Sequence, residues 1–315
     1  MERSVILAAP RGYCAGVERA VDAVERALAH HGAPVFVRKQ IVHNLHVVRD
    51  LEAKGAIFVD EVSEIPPGSV AVLSAHGSPP EAYREAERRG LHLIDATCPL
   101  VTKVHVEARR FAGAGRTIVL IGHAGHEEVE GTSGQAPERT ILVQTLEEAR
   151  TVTLPDGPIA YLTQTTLSVD ETAGIVDELR RRYPHLEGPP REDICYATQN
   201  RQDAVKGIAP SADVVLVIGS RNSSNSNRLA EVARERGSVA YLVDDETEAD
   251  PVWLAHATTV GLTSGASAPE HLIARMLEWL AEQGFGAVAQ VGEAEEGVRF
   301  SLPAGVRTLP MAPRR

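Results

Sequence analysis

Leu91-His-Leu-Ile-Asp-Ala-Thr-Cys98-Pro-Leu-Val-Thr-Lys-Val-His105 carries the pattern on which the chain is built. A short apolar run leads in, a cysteine follows, and apolar residues then recur at helical spacing. The same order surrounds the other two cysteines. Val5-Ile-Leu-Ala-Ala precedes Cys14, and Glu192-Asp-Ile precedes Cys195. Polar motifs return at matching offsets behind each cysteine. His43, His126 and Ser223 stand 29, 28 and 28 residues on; His76, Thr165 and Ser267 stand 62, 67 and 72 residues on. The recurrence predicts three similar α/β units with mainly parallel sheets, over residues 1–97, 98–193 and 194–283, followed by a C-terminal tail over 284–315.

Working outward, strands are expected over residues 5–9, 57–59, 70–74, 117–121, 159–162, 214–218 and 259–262, and another ends at Val37. Helices are expected over 15–31, 100–112, 170–182 and 270–282; another runs from Cys195 to Ile208, and one begins at Leu229. In the first helix Val17, Val21, Val24 and Leu28 share a face, and Ile175, Val176 and Leu179 turn inward in the helix over 170–182. The tail is read as irregular, with one strand over 298–302. Strands alternating with helices argue for parallel sheets, whose ligands sit beyond the carboxyl ends of the strands. Every polar motif named above lies there on this reading.

Composition narrows the function. Hydrophobic residues make up 43% and charged residues 24%, the balance of a folded globular protein. Lys and Arg number 32 against 43 acidic residues, a net charge of −11 with no basic block. A nucleic-acid partner held through its phosphates is thereby disfavoured. No apolar stretch reaches the roughly 18 residues that span a bilayer, and the run over 5–9 is too short for a signal-peptide core. Three cysteines do not make a disulfide framework. They suit reduced thiols in a soluble, cytoplasmic protein.

A single cysteine is ordinarily a small buried hydrophobe. Three in one repeated context, each at the start of a helix where dipole and free amides stabilise a thiolate, read as ligands. Structural zinc sites show C-x₂-C pairs and a fourth ligand, and neither is present. Soft thiolates from far-apart segments favour an iron–sulfur cluster with one open iron.

Gly219-Ser-Arg-Asn-Ser-Ser-Asn-Ser-Asn-Arg228, between a strand and a helix, is a set of neutral donors suited to an anion. Ser264-Gly-Ala-Ser-Ala-Pro269 offers a second such turn; Pro269 stands where a nucleophile elbow requires glycine. His126-Glu-Glu-Val-Glu130 has glutamate where a zinc protease motif needs its second histidine. Glu128 then remains as a candidate proton donor among glycines and histidines. No phosphate-binding loop with Gly-Lys and no dinucleotide fingerprint occurs.

Pro10-Arg-Gly-Tyr-Cys-Ala-Gly-Val17, Val42-His-Asn44, Ser74-Ala-His-Gly77, Asp95-Ala-Thr-Cys98, Ile121-Gly-His-Ala-Gly-His126, Thr163-Gln-Thr-Thr-Leu-Ser-Val169, Asp193-Ile-Cys-Tyr-Ala-Thr198 and the Ser/Asn loop together resemble one family. It is that of the 4-hydroxy-3-methylbut-2-enyl diphosphate reductases of the non-mevalonate isoprenoid route. The resemblance runs from about Val5 to near Glu282. It implies three α/β units in a pseudo-threefold arrangement around a central [4Fe-4S] cluster. Cys14, Cys98 and Cys195 match the cluster ligands, leaving one iron open or substrate-bound. His43, His76, His126, Ser223, Ser224, Asn225 and Ser267 match residues around the substrate diphosphate. Glu128 matches the proton-relay acid and Thr165 the hydroxyl that works with it. The implied reaction removes the allylic hydroxyl as water with two electrons and two protons, giving isopentenyl and dimethylallyl diphosphates. The electrons come from a ferredoxin or flavodoxin type carrier. Arg221, Ser264 and Gln199 are local departures, none at a matched position.

Overall fold

The computed structural model describes residues 3–292 and 296–308. In chain order it begins β1 (Ser4–Ala8), α1 (Ala15–His31), β2 (Val35–Arg38), α2 (Leu45–Ala53), β3 (Ala56–Val59), β4 (Val70–Leu73), α3 (Pro80–Arg88), β5 (His92–Asp95) and α4 (Pro99–Gly113). The middle holds β6 (Thr117–Ile121), α5 (Glu127–Ser133), β7 (Thr140–Val143), α6 (Leu146–Thr151), β8 (Ile159–Thr163) and α7 (Val169–Arg182). Then follow α8 (Tyr196–Ile208), β9 (Val214–Ile218), α9 (Ser224–Glu235), β10 (Val239–Val243), β11 (Thr259–Ser264), α10 (Glu270–Glu282) and β12 (Ala287–Val291).

The expected α/β class holds, with three parallel sheets ordered β10-β9-β11-β1-β12, β3-β2-β4-β5 and β7-β6-β8. The chain divides into two compact units. One comprises Met1–Val17, His43–Arg49 and Tyr196–Arg299 and holds the five-stranded sheet; the other comprises Glu18–Val42, Asp50–Cys195 and Phe300–Arg315 and holds the other two.

β1, read from the sequence with residues 1–97, lies in the sheet of the last third. It pairs with β11 from Ser4↔Thr259 to Leu7↔Leu262, and with β12 from Ser4↔Ala287 to Ala8↔Val291. Val5 is fully buried there, against Leu262, Leu272, Met276 and Phe285. Full burial of one such side chain contributes about 1.5–3 kcal/mol, so the apolar run at the N-terminus finds its core at the other end of the chain.

Other expectations need correction. The strand of the C-terminal segment is Ala287–Val291; residues 298–302 are irregular. β12 is an edge strand with every residue exposed, so hydrophobic alternation gives no signal for it. Residues beyond it are nevertheless built in: Val306 is fully buried, and Arg19 Nε donates to Ser301 O at 2.8 Å. Helix α9 starts at Ser224 rather than Leu229, because the Ser223 hydroxyl caps it by accepting the Ser226 N–H. Before Cys195 there is no strand. That segment is held instead by buried Asp193, which accepts the Thr163 N–H at 3.0 Å and pairs with Lys103 at 2.9 Å. The inward face of α1 is Val17, Ala20, Ala23, Val24 and Ala27, with Val21 and Leu28 only half-buried. Ile175, Val176 and Leu179 of α7 are buried as expected. No helix among the described residues is long and apolar enough to cross a membrane.

Candidate active site

None of the three cysteines is in a disulfide; each is partly exposed and immediately precedes a helix: Cys14 before α1, Cys98 before α4, Cys195 before α8. Each backbone amide donates to a loop beyond the carboxyl end of a strand in its own unit. Cys14 N–H reaches Ala266 O at 3.1 Å, Cys98 N–H reaches Ala75 O at 2.9 Å, and Cys195 N–H reaches Thr165 O at 3.0 Å. The repeat therefore closes one step earlier than the sequence offsets pair it. Cys98 is tied to the His76 loop, Cys195 to the Thr165 loop, and Cys14 to the Ser267 loop. β1 belongs to the last sheet for the same reason: the first cysteine completes the last repeat.

The donor set fits an iron–sulfur group. Three thiols outside any disulfide stand at helix N-termini, where amides and dipole favour thiolate. Burial pushes the Cys14 thiol up, and the Arg201 guanidinium and the Val17 N–H oppose that. Val17 N–H lies 3.5 Å from Cys14 Sγ. Fully buried Arg201 also carries an Nε–H with no partner among the described residues, a donor suited to an electron-rich acceptor.

In the unit of the two smaller sheets, α5 carries the acid. His126 caps this helix, its Nδ1 accepting the Glu128 N–H at 3.1 Å. Glu128 is 5% exposed and accepts two bonds from Thr165, from N–H at 2.8 Å and from Oγ1 at 2.9 Å. Burial raises its pKa above the ordinary carboxylate value, against those two bonds. Beside it, Glu127 accepts from Ser74 Oγ at 3.2 Å and pairs with His76 Nδ1 at 2.7 Å. Burial pushes His76 down, but Glu127 and Glu128 outweigh it and hold the imidazole above its usual pKa. Burial raises Glu127, and the His76 cation more than reverses this. His126, its ring 5.9 Å from that of His76, is pushed down to about 3 by burial and by His76. A Cβ on Gly131 would stand 3.2 Å from the Gly77 backbone, so α5 packs closely on the His76 loop.

The other unit gathers neutral donors. Ser226 Oγ donates to Ser223 Oγ at 3.0 Å and is wedged between two glycines. A Cβ on Gly219 or Gly265 would stand 2.2 or 2.1 Å from that oxygen. Asn225 Oδ1 accepts the Ala266 N–H at 2.9 Å, and Ser267 Oγ donates to His43 O at 2.9 Å. Asn44 Oδ1 accepts the Val47 N–H at 3.1 Å. The Nδ2 groups of Asn225 and Asn44 are buried and have no partner among the described residues. A buried donor left unmet costs about 1–3 kcal/mol. Two of them beside a helix N-terminus make an anion cradle without lysine. Ser224, half-buried, is the first residue of that helix.

Within their units, His76, His126, Glu128 and Thr165 are thus brought together, and so are His43, Ser223, Asn225 and Ser267. Reading by residue type missed Glu127, and it gave Asn44 and Ser226 only as members of motifs. Glu127 could have been found as the second carboxylate of His126-Glu-Glu. The wedge around Ser226 could not, since it needs Gly265, distant in sequence, brought against the loop that begins at Gly219.

The LytB protein family matches residues 5–281. A 4-hydroxy-3-methylbut-2-enyl diphosphate reductase of Acidothermus cellulolyticus is 61% identical over 97% of this chain and 91% of its own length. The solved structure of the E-1-hydroxy-2-methyl-but-2-enyl-4-diphosphate reductase of Plasmodium falciparum superposes with TM-score 0.93 at 36% identity, covering 96% of each chain. A second solved structure, (E)-4-hydroxy-3-methyl-but-2-enyl diphosphate reductase, the terminal enzyme of the non-mevalonate pathway, gives TM-score 0.64 at 32% identity. It covers 89% of this chain and 99% of the other.

Proposed function

The chain belongs to the LytB family, and from that premise we propose that it is the reductase of 4-hydroxy-3-methylbut-2-enyl diphosphate, acting at the last step of the non-mevalonate isoprenoid route with a [4Fe-4S] cluster on Cys14, Cys98 and Cys195. The substrate loses its hydroxyl as water, takes two electrons and two protons, and leaves as isopentenyl or dimethylallyl diphosphate. The observation that carries the chemistry is the buried Glu128 carboxyl held by two bonds from Thr165.

When bound, the cluster supplies electrons and a Lewis-acidic iron. The protein's part is to place and protonate. Glu128, kept protonated to higher pH than an exposed carboxylate, holds the proton that the departing hydroxyl needs. Thr165 fixes that carboxyl in one orientation and offers its own hydroxyl for relay. The diphosphate falls to His43, Ser223, Ser224, Asn225 and Ser267, with His76 and His126 as further partners. Neutral donors and a helix N-terminus let a protein of net charge −11 take an anionic ligand. His76, held cationic by Glu127, adds positive charge, whereas His126 stays neutral and can accept or pass a hydrogen bond.

Electrons come from a ferredoxin or flavodoxin type carrier, since the sequence shows no flavin or nicotinamide fingerprint. Reduced thiols suit a cytoplasmic setting. The test is anaerobic reconstitution with iron and sulfide. The wild type is expected to take up about four irons per chain, with the absorption and paramagnetic signals of a cubane cluster. Single Cys→Ser variants at the three positions are expected to load poorly. A colourless protein that binds only zinc would sink the reading.

A further inference from the structure

We infer that Arg201 and Glu296 form a positioning and charge-setting pair for the Cys14 arm of the metal site, an inference that rests on the cluster reading above. Arg201 lies on α8 and is fully buried. A buried guanidinium costs several kcal/mol unless its donors are met. Nη1 donates to Ala197 O at 2.9 Å and to both oxygens of Glu296, at 3.0 and 3.1 Å. Nη2 donates to Gly12 O at 2.9 Å. Glu296 also accepts from Asn200 Nδ2 at 3.0 Å, and its side chain is 12% exposed.

The Gly12 peptide is where this pair acts on Cys14. Gly12 has φ +71, the left-handed region open to glycine, and stands two residues before the cysteine. Its carbonyl is held by Arg201, and its N–H donates to buried Ser264 Oγ at 2.9 Å. The turn that aims Cys14 is therefore clamped at both ends of one residue.

Charge is the second part. Arg201, bonded to the Gly12 peptide two residues before Cys14, sets a buried positive charge beside that arm, and Glu296 on its Nη1 offsets it. Any added negative charge on a group held by Cys14 meets the same two fields. Arg201 Nε–H has no partner among the described residues, which leaves one donor of the buried cation for a further acceptor. Glu296 follows β12, whose pairing with β1 brings this C-terminal segment beside the Cys14 strand. The segment thus supplies the counter-charge that keeps Arg201 from acting at full strength.

The experiment is a potentiometric titration, followed by electron paramagnetic resonance, of the anaerobically reconstituted wild type, Glu296→Gln, Arg201→Met and the double variant. Glu296→Gln keeps the shape and removes the counter-charge. It is expected to favour the reduced cluster about tenfold, about 59 mV upward for one electron. Arg201→Met is expected to shift it downward and to lower iron loading, and the double variant to return toward wild type. Opposite signs are the signature, since a merely structural loss would not move the potential both ways. Should Arg201→Met not fold, Glu296→Gln carries the test alone. Wild-type loading with an unmoved potential in Glu296→Gln overturns this inference and leaves the cluster reading standing. A wild type that takes up no iron overturns both.

Discussion

The Glu128 region and the Ser223 region solve opposite problems. Around Glu128, four titratable groups, His76, His126, Glu127 and Glu128, are packed together, Glu128 buried and the others half-buried, and each is moved from its ordinary pKa. Around Ser223, the side chains of Ser223, Asn225, Ser226 and Ser267 cannot titrate at all, and buried Nδ2 donors are left open. The first region can move a proton. The second can hold charge without exchanging protons with it. A reaction that protonates a leaving hydroxyl while retaining a diphosphate needs both.

Substitutions can break this division. The largest effect is expected for Glu128→Gln: kcat should fall by about 10²–10⁴, with substrate affinity and iron content near wild type. Pre-steady-state turnover beside an absorption spectrum checks it, and near-normal turnover would remove Glu128 from proton transfer. Asn225→Ala should act the other way, raising KM by roughly tenfold or more while kcat changes less; one amide donor to a charged group contributes about 1.5–3 kcal/mol. Steady-state kinetics separate the two, and an equal fall in kcat would blur the comparison.

Next in size is Gly265→Ala. Its new Cβ would meet the Ser226 oxygen at 2.1 Å and disturb the Ser223 cap, costing about 1–3 kcal/mol. A lower denaturation midpoint is expected, with a raised KM in whatever folds. An unchanged midpoint would show that the wedge around Ser226 is slack.

The smallest effect concerns pH. Glu127 is lowered from 4.5, so its share of stability is present above that value and lost as pH falls through its folded pKa. His76 is raised from 6.5, so its share is present below that value and lost as pH rises through its folded pKa. The pair contributes fully between about 4.5 and 6.5. Glu127→Gln should flatten the difference in thermal midpoint between pH 6 and pH 8 that the wild type shows; an unaltered difference would mean that the pair does not couple to folding.

The sequence disclosed much of this because its signals are local. The strand at 117–121, the helix at 270–282 and the inward face of α7 follow from periodicity within one element. What stayed hidden depends on distant partners. β1 sits with β11 and β12, a pairing more than 250 residues away along the chain that its apolar run does not encode. Each cysteine was matched to the polar loops that follow it, whereas the amide bonds tie Cys98 and Cys195 to loops of the preceding repeat and Cys14 to a loop of the last. Ser223, Asn225 and Ser267 were legible as donor chemistry; the two-glycine wedge at Ser226 and the Arg201–Gly12 clamp were not, since both rest on tertiary approach. Glu127 was not singled out beside Glu128, and the 2.7 Å contact with His76 is what distinguishes its role.

The most direct test of the account is consumption of 4-hydroxy-3-methylbut-2-enyl diphosphate by the anaerobically reconstituted protein, with and without a reduced one-electron carrier. The account predicts conversion to isopentenyl and dimethylallyl diphosphates only when reductant is supplied, at two electrons per molecule. Conversion without reductant, or a brown protein that leaves the substrate untouched under reduction, would contradict it.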